Sequence, residues 1–317
     1  MEAVVFANRN GHNLFGTLHT PPNADKSRPM IVLLSPGVKM RVGPHRLYNR
    51  MTEELNELGF TVFKFDFFGL GDSEGELDRD MLAQVYNDTE TGMFVNDSLD
   101  ALDWLQKSRG AQTFLLGGLC GGAITGILLA SEDTRVKGLI SLGMTVTLAM
   151  GPDRTRFASQ GELASLRQGY IRRLFRPKSW LRLLTFQSDY RTMAKSVGQL
   201  FKKKTPPATT ATVAPKPPDE NSLSNANPRF PPAFFAMTRQ NRKILLIFSG
   251  SDRLFWDFDE KFAQPYAVQL AEVENAYELH IVKDANHVFS FREWEQEMLV
   301  LTRNWLLANF AGEITSK

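Results

Sequence analysis

The stretch TFLLGGLCGG, residues 113–122, decides the reading of this chain. An apolar run suited to a buried strand, TFLLG, passes into Gly118-Leu119-Cys120-Gly121-Gly122, and a helix of small residues from Gly121 to Ser131 follows at once. A nucleophile displayed on a sharp strand-to-helix turn requires tiny side chains two residues to either side of it, because the strained backbone folds those positions against each other. Gly118 and Gly122 meet that demand, so Cys120, the single cysteine of the chain, reads as a candidate nucleophile. At a helix N-terminus the sulfur also meets the partial positive charge of the first-turn amides, which favours an anionic nucleophile. The competing reading of Cys120 is an inert buried thiol.

A nucleophile of this kind works with an acid and a histidine further along the chain, in that order. Of the five histidines, at positions 12, 19, 45, 280 and 287, only His287 falls in a loop after the last predicted strand and before the terminal helix. Asp252 lies in GSDRLF, just beyond the strand KILLIFS, at the strand end where ligands and reacting groups gather in open α/β sheets. Asp257, Asp259 and Asp284 are rivals for the same role. An oxyanion hole needs two N–H donors aimed at developing negative charge. One is expected from Gly121, after the nucleophile, and the other from Val38, after the Pro-Gly turn of LLSPGVKMRVGPHR. Arg41 and His45, in that same loop, are candidate substrate contacts or plain exposed residues.

Composition excludes several other classes. With 43% hydrophobic and 23% charged residues, the 317-residue chain has the balance of a soluble globular protein able to bury a large core. A lone cysteine forms no intrachain disulfide, and the opening MEAVVFANRNGHNLFG lacks the basic and apolar regions of a secretory signal, so the cytoplasm is the expected compartment. No uninterrupted apolar run approaches the roughly 20 residues that span a bilayer. Gly69-Leu70-Gly71 follows a strand, but position 74 is Glu where a dinucleotide fingerprint needs its third glycine. One cysteine and scattered histidines offer no metal-ligand spacing. Neither a cofactor nor a metal is expected.

Strands and helices alternate in the manner of a mainly parallel sheet flanked by helices. A hairpin of AVVFA and NLFGTLHT precedes the strand MIVLL, and LYNRMTEELNEL carries apolar residues at 47, 51, 55 and 58 along one helical stripe. The strand TVFKFDF, a helix near 93–108, the elbow and the strand GLISLG complete a first core segment, residues 1–144. Residues 145–240 break the pattern. From Asp153 to Lys204 there are thirteen Lys and Arg against three acids, within short amphipathic helices such as ELASLRQGYIRRLF, and a Pro, Thr and Asn-rich stretch follows. This insertion reads as a basic helical lid plus a flexible loop. Its arginines are expected to be solvated, or to attract an anionic substrate or membrane surface. No nucleic-acid module accompanies them. Residues 241–317 resume the core with KILLIFS, a helix near 260–272, YELHIV and a helix from about Arg292 to Phe310.

Together these motifs resemble the α/β-hydrolases. FDFFGLGDSEG is similar to the D-x-x-G-x-G-x-S stretch after the fourth strand, GLCGG to the nucleophile elbow, GSDRLF to the acid turn and ANHVFS to the histidine loop. More narrowly, MRVGPHR, the G-x-C elbow and HVFSFREWE resemble bacterial hydrolases associated with exosortase and exopolysaccharide gene clusters. The cysteine departs from the usual serine, although dienelactone hydrolases and polyhydroxyalkanoate synthases resemble the chain in this respect. The resemblance implies an α/β-hydrolase fold and acyl transfer at an ester or thioester, through Cys120, His287 and Asp252 and a thioester acyl-enzyme. Passing the acyl group to water makes a hydrolase, to an alcohol or amine a transferase; a non-catalytic binding protein on the same fold is the remaining alternative.

Overall fold

The computed structural model describes residues 1–25, 27–77, 82–149 and 225–310. Eight strands form one sheet in the order β1-β2-β4-β3-β5-β6-β7-β8. They are β1 (Glu2–Ala7), β2 (Asn13–His19), β3 (Met30–Leu34), β4 (Val62–Phe65), β5 (Phe114–Leu119), β6 (Val136–Leu142), β7 (Lys243–Ser249) and β8 (Tyr277–Val282). The opening hairpin pairs antiparallel within itself and onto β4. Every other neighbour is parallel. All eight strands coincide with runs legible in the sequence.

Burial on both faces explains the continuous apolar runs of the central strands. Successive side chains of a strand point to opposite faces. Ile31 and Leu33 of β3 therefore pack under helices α1 (Leu47–Glu57) and α8 (Arg292–Phe310), against Met51, Leu55, Trp305 and Leu306. Val32 and Leu34 point the other way, into a cluster with Leu102, Ile124, Ile127 and Phe234. Those residues come from α3 (Val95–Arg109), α4 (Gly121–Glu132) and α5 (Phe230–Thr238). Helix α4 is buried continuously from Gly121 to Ala130, as expected of a helix that is apolar all round. The turn at Cys120 is thus mounted near the centre of the sheet, between a strand and a helix that are both buried along their length.

Between β6 and α5 the chain makes its long excursion. Its two ends meet in a short neck: Thr147 bridges Ala226 antiparallel, Leu148 N–H donates to the Asn225 carbonyl at 2.8 Å, and Asn227 N–H donates to the Val146 carbonyl at 2.8 Å. The basic helices and most of the Pro-rich stretch expected here fall in 150–224, outside the described residues. Residues 230–238, placed within the insertion by sequence, form α5 and bury Phe230, Phe234 and Phe235 in the core, with Pro231 and Pro232 in the first turn. The single helix expected near 260–272 is two pieces, a π-helical turn at Asp259–Ala263 and α7 (Ala267–Ala271), preceded by the short α6 (Arg253–Phe258). Pro265 supplies the break, since it has no N–H to continue the ladder. Helix α2 (Leu82–Glu90) carries no clear sequence signal.

Candidate active site

At the end of β5, Cys120 adopts φ 54° and ψ −112°, a conformation costly for a residue with a side chain. The surrounding glycines make it feasible. A Cβ on Gly118 would stand 2.3 Å from the Gly122 carbonyl carbon, and one on Gly122 would stand 2.5 Å from the Leu34 oxygen. The turn is held by Cys120 N–H donating to the Leu142 carbonyl at 2.8 Å, while the Cys120 carbonyl accepts Ala123 and Ile124 N–H at 2.9 and 3.1 Å and starts α4. As the first residue of that helix, Gly121 has no intrahelical acceptor for its amide. A Cβ on Gly121 would lie 2.5 Å from the Gly37 Cα, so the loop carrying Val38 rests directly on the elbow. The two expected oxyanion donors are therefore brought to the same end of the sheet as the thiol.

The acid turn and the histidine loop are clasped to each other. Gly250 N–H donates to the Val282 carbonyl at 2.9 Å, Ser251 N–H to the Ala285 carbonyl at 3.0 Å, and Ser251 Oγ to the Asp284 carbonyl at 3.2 Å. This clasp brings His287 Nδ1 to 2.5 Å from Asp252 Oδ2, with the carboxylate accepting. Beneath the ring, Gly143 turns at φ 59°, and a Cβ there would lie 3.8 Å from His287 Cε1. Cys120, whose N–H bonds the Leu142 carbonyl next to Gly143, lies near enough to act on the charge of the ring. Burial disfavours the charged ring, but the hydrogen bond to Asp252 and then the interaction with Cys120 outweigh it, raising the His287 pKa to about 10. Cys120, Asp252 and His287, far apart in sequence, come together in the order expected.

The rivals stand elsewhere. Asp259 accepts Gln264 Nε2 at 2.7 Å, Asp257 is wholly buried at the end of α6, and Asp284 sits at φ 62° in the clasp. Among the other histidines, His12 packs on the Phe68 ring and His280 lies 3.5 Å from Glu278 on the last strand. His45 is exposed at φ 51°, and its carbonyl accepts Arg50 Nη2 at 2.6 Å.

Arg41 is committed inward. Its guanidinium pairs with the fully buried Asp66 and, at 2.6 Å, with Asp72, while its N–H donates to Asp66 Oδ1 at 2.5 Å. Asp66 also accepts the Asp72 N–H at 3.1 Å, and a Cβ on Gly71 would strike its carboxylate at 2.2 Å. What these contacts give Arg41 is a structural duty, pinning the Val38 loop to the glycine-rich turn after β4. Removing one partner of a buried pair leaves an uncompensated charge, which costs about 3–5 kcal/mol. Arg41→Ala is accordingly expected to lower the urea midpoint strongly. A variant with wild-type stability but a raised KM would instead mark Arg41 as chiefly a substrate contact.

Two neighbours of the site were not anticipated. Helix α2 walls it: Thr89 Cγ2 lies 3.0 Å from the position of a Gly121 Cβ, and the ionisation of Tyr86 is pushed up by burial and then by nearby Cys120. At the end of α2, Glu90 accepts the Ala149 N–H at 2.6 Å, while its own carbonyl accepts Asn227 Nδ2 at 2.6 Å, so both arms of the neck are anchored beside the site. Burial raises the Glu90 carboxyl to about 7 against the pull of that amide and of Arg253. The second neighbour is Tyr48, whose hydroxyl donates to the Leu34 carbonyl at 2.8 Å and accepts Leu119 N–H at 2.7 Å. The only signal that could have drawn attention to it is a polar tip beside an apolar stripe, because a buried phenol must find a partner.

A strained elbow at the centre of a mainly parallel sheet, with an acid turn and a histidine loop at the following strand ends, defines an α/β-hydrolase site. Residues 31–255, more than half of the chain, match the α/β-hydrolase fold family, and the chain belongs to it. The chain is similar to mouse monoglyceride lipase, 30% identical over 140 residues that cover 44% of this chain and 42% of that protein. It spans less than half the length of the curated relatives it matches. Among solved structures, the Pyrococcus furiosus esterase superposes with a TM-score of 0.57 at 15% identity, covering 98% of this chain and 93% of the other. The Anabaena variabilis dienelactone hydrolase gives 0.55 at 16% identity, covering 98% and 97%. At these identities the solved structures speak to the fold. Among the described residues no helix is long and apolar enough to cross a membrane, and no group of three potential metal ligands occurs.

Proposed function

We propose that this chain is an acyl hydrolase, an esterase or thioesterase, that works through Cys120, His287 and Asp252. The observation that carries the reading is the imidazole held at 2.5 Å by Asp252, beside a strained elbow whose thiol helps raise the pKa of the ring. In the reaction, Cys120 Sγ attacks the acyl carbon while the proton it has given up is held on His287. The carbonyl oxygen gains the electron pair and is stabilised by the Val38 and Gly121 amides. Collapse of the tetrahedral intermediate expels the alcohol or thiol, which takes the proton from His287, and leaves a thioester on Cys120. Water activated by His287 then releases the acid. The relatives named monoglyceride lipase support ester chemistry, and the narrower resemblance to exosortase-associated hydrolases supports the cysteine as nucleophile.

The sulfur favours a second outcome from the same intermediate, since a thioester persists long enough to meet an amine or alcohol if water is kept out. A small acyl ester or thioester in the cytoplasm is the substrate this reading assigns. The membrane contact expected of the basic insertion concerns residues outside those described. The test is steady-state turnover of p-nitrophenyl esters and acyl-coenzyme A of graded chain length, with and without hydroxylamine or a primary alcohol. Acid release unaffected by added acceptor supports the hydrolase; acceptor acylation outpacing acid release supports the transferase. No turnover of any ester or thioester would leave the binding protein.

A further inference from the structure

The Tyr48 hydroxyl occupies a place that the reaction as described does not use. Strands β3 and β5 are parallel neighbours whose last paired position is Leu34 with Gly118. One step further the chain must do two things at once: β5 turns into the elbow at Cys120, and β3 runs into the loop bearing Val38. The backbone ladder stops there, and the Tyr48 hydroxyl takes over, accepting the Leu119 N–H at 2.7 Å and donating to the Leu34 carbonyl at 2.8 Å. A phenol can donate once and accept at the same oxygen, so one side chain satisfies both groups. Each of these partners touches the site. Leu119 immediately precedes Cys120, and the Leu34 oxygen is the atom lying 2.5 Å from where a Gly122 Cβ would stand.

The ring is as constrained as the hydroxyl. Tyr48 is fully buried, its N–H donates to the Val42 carbonyl at 3.2 Å, and a Cβ on Gly43 would approach its Cδ1 to 3.3 Å. The same residue therefore braces the far end of the loop that starts at Ser35, passes Val38 and Arg41, and ends at α1. We propose that Tyr48 is a positioning residue for acyl transfer, its hydroxyl fixing the separation between the Cys120 sulfur and the Val38 amide. This inference rests on the reading of Cys120 as nucleophile.

Tyr48→Phe keeps the ring and removes the bridge. Loss of a single oxyanion donor costs about 10²–10³-fold in kcat, and misplacement of a reacting group by about 1 Å costs about 10²-fold. A fall of about 30–100-fold in the rate of acylation is therefore expected, with KM changed by less than about two-fold. Met51→Ala is the control, because Met51 is fully buried on the same helix without contact to the elbow through a polar group. The experiment follows the p-nitrophenol burst of the full chain for the wild type, both variants and Cys120→Ala, with thermal midpoints alongside. The proposal expects Met51→Ala to lose stability yet acylate within about three-fold of wild type, a small effect if it removes only uniform packing. It is overturned if Tyr48→Phe slows acylation no more than Met51→Ala, or acts through KM. Should Tyr48→Phe not fold, Tyr48→difluorotyrosine fills the same space while weakening the oxygen as an acceptor; slower acylation supports the proposal and an unchanged rate overturns it. A burst that survives in Cys120→Ala shows instead that the nucleophile reading itself has failed, before Tyr48 is considered.

Discussion

Cys120→Ala is expected to lower ester turnover by about 10⁴-fold or more, the scale on which loss of a nucleophile acts when acid, base and oxyanion donors remain in place. The variant should still fold. The elbow is imposed by the glycine contacts at 118, 121 and 122 and by the Cys120 N–H to Leu142 hydrogen bond, none of which involves the sulfur. Alanine keeps the Cβ that the φ of 54° already tolerates, and the thiol is only partly buried, so the thermal midpoint should move by a few degrees at most. Paired measurement of kcat and thermal midpoint checks both halves. A collapse of stability together with activity would mean that the sulfur holds the turn rather than reacts.

Asp252→Asn carries the second large effect. The hydrogen bond to this carboxylate is the largest single cause holding a proton on His287. Its replacement should bring the imidazole down from about 10 toward its ordinary 6.5 and reverse the preferred tautomer, with a fall in kcat of about 10³-fold or more. The sign of the linked stability effect follows from the raised pKa. His287 binds its proton more tightly in the folded chain, so the stabilisation is complete below about 6.5 and is lost as pH rises through about 10. Wild-type thermal midpoints should therefore decline across that window more steeply than those of Asp252→Asn. Imidazole resonances followed by NMR over the same range would locate the titration directly. A wild-type ring that titrates near 6.5 would contradict the account of the pair.

What the sequence made legible follows from the range over which each cause acts. The strands were readable because apolar runs and alternation are local, and the elbow because its two glycines lie two residues from Cys120. Asp252 and His287 were readable through chain order and their position after strand ends. The role of Arg41 was not, since Asp66 and Asp72 reach it only once β3 and β4 pair side by side. Tyr48 is hidden for the same reason: its partners, Leu34 and Leu119, lie 14 and 71 residues away. Helix α5 was assigned to the insertion because the Pro, Thr and Asn-rich stretch runs on through Pro231 and Pro232, whereas its Phe230 and Phe234 are claimed by the core through contacts with Phe262. Tertiary packing overrode the local signal there.

The central claim is that an acyl group passes through a covalent bond to the Cys120 sulfur. The most direct measurement mixes the full chain with a p-nitrophenyl ester, quenches it in acid within the first turnover, and maps the added acyl mass by peptide fragmentation. The account predicts one acyl group on the peptide containing Cys120, absent from Cys120→Ala and discharged by hydroxylamine. Ester turnover at full rate with no mass on Cys120, or with the mass on another residue, would contradict it.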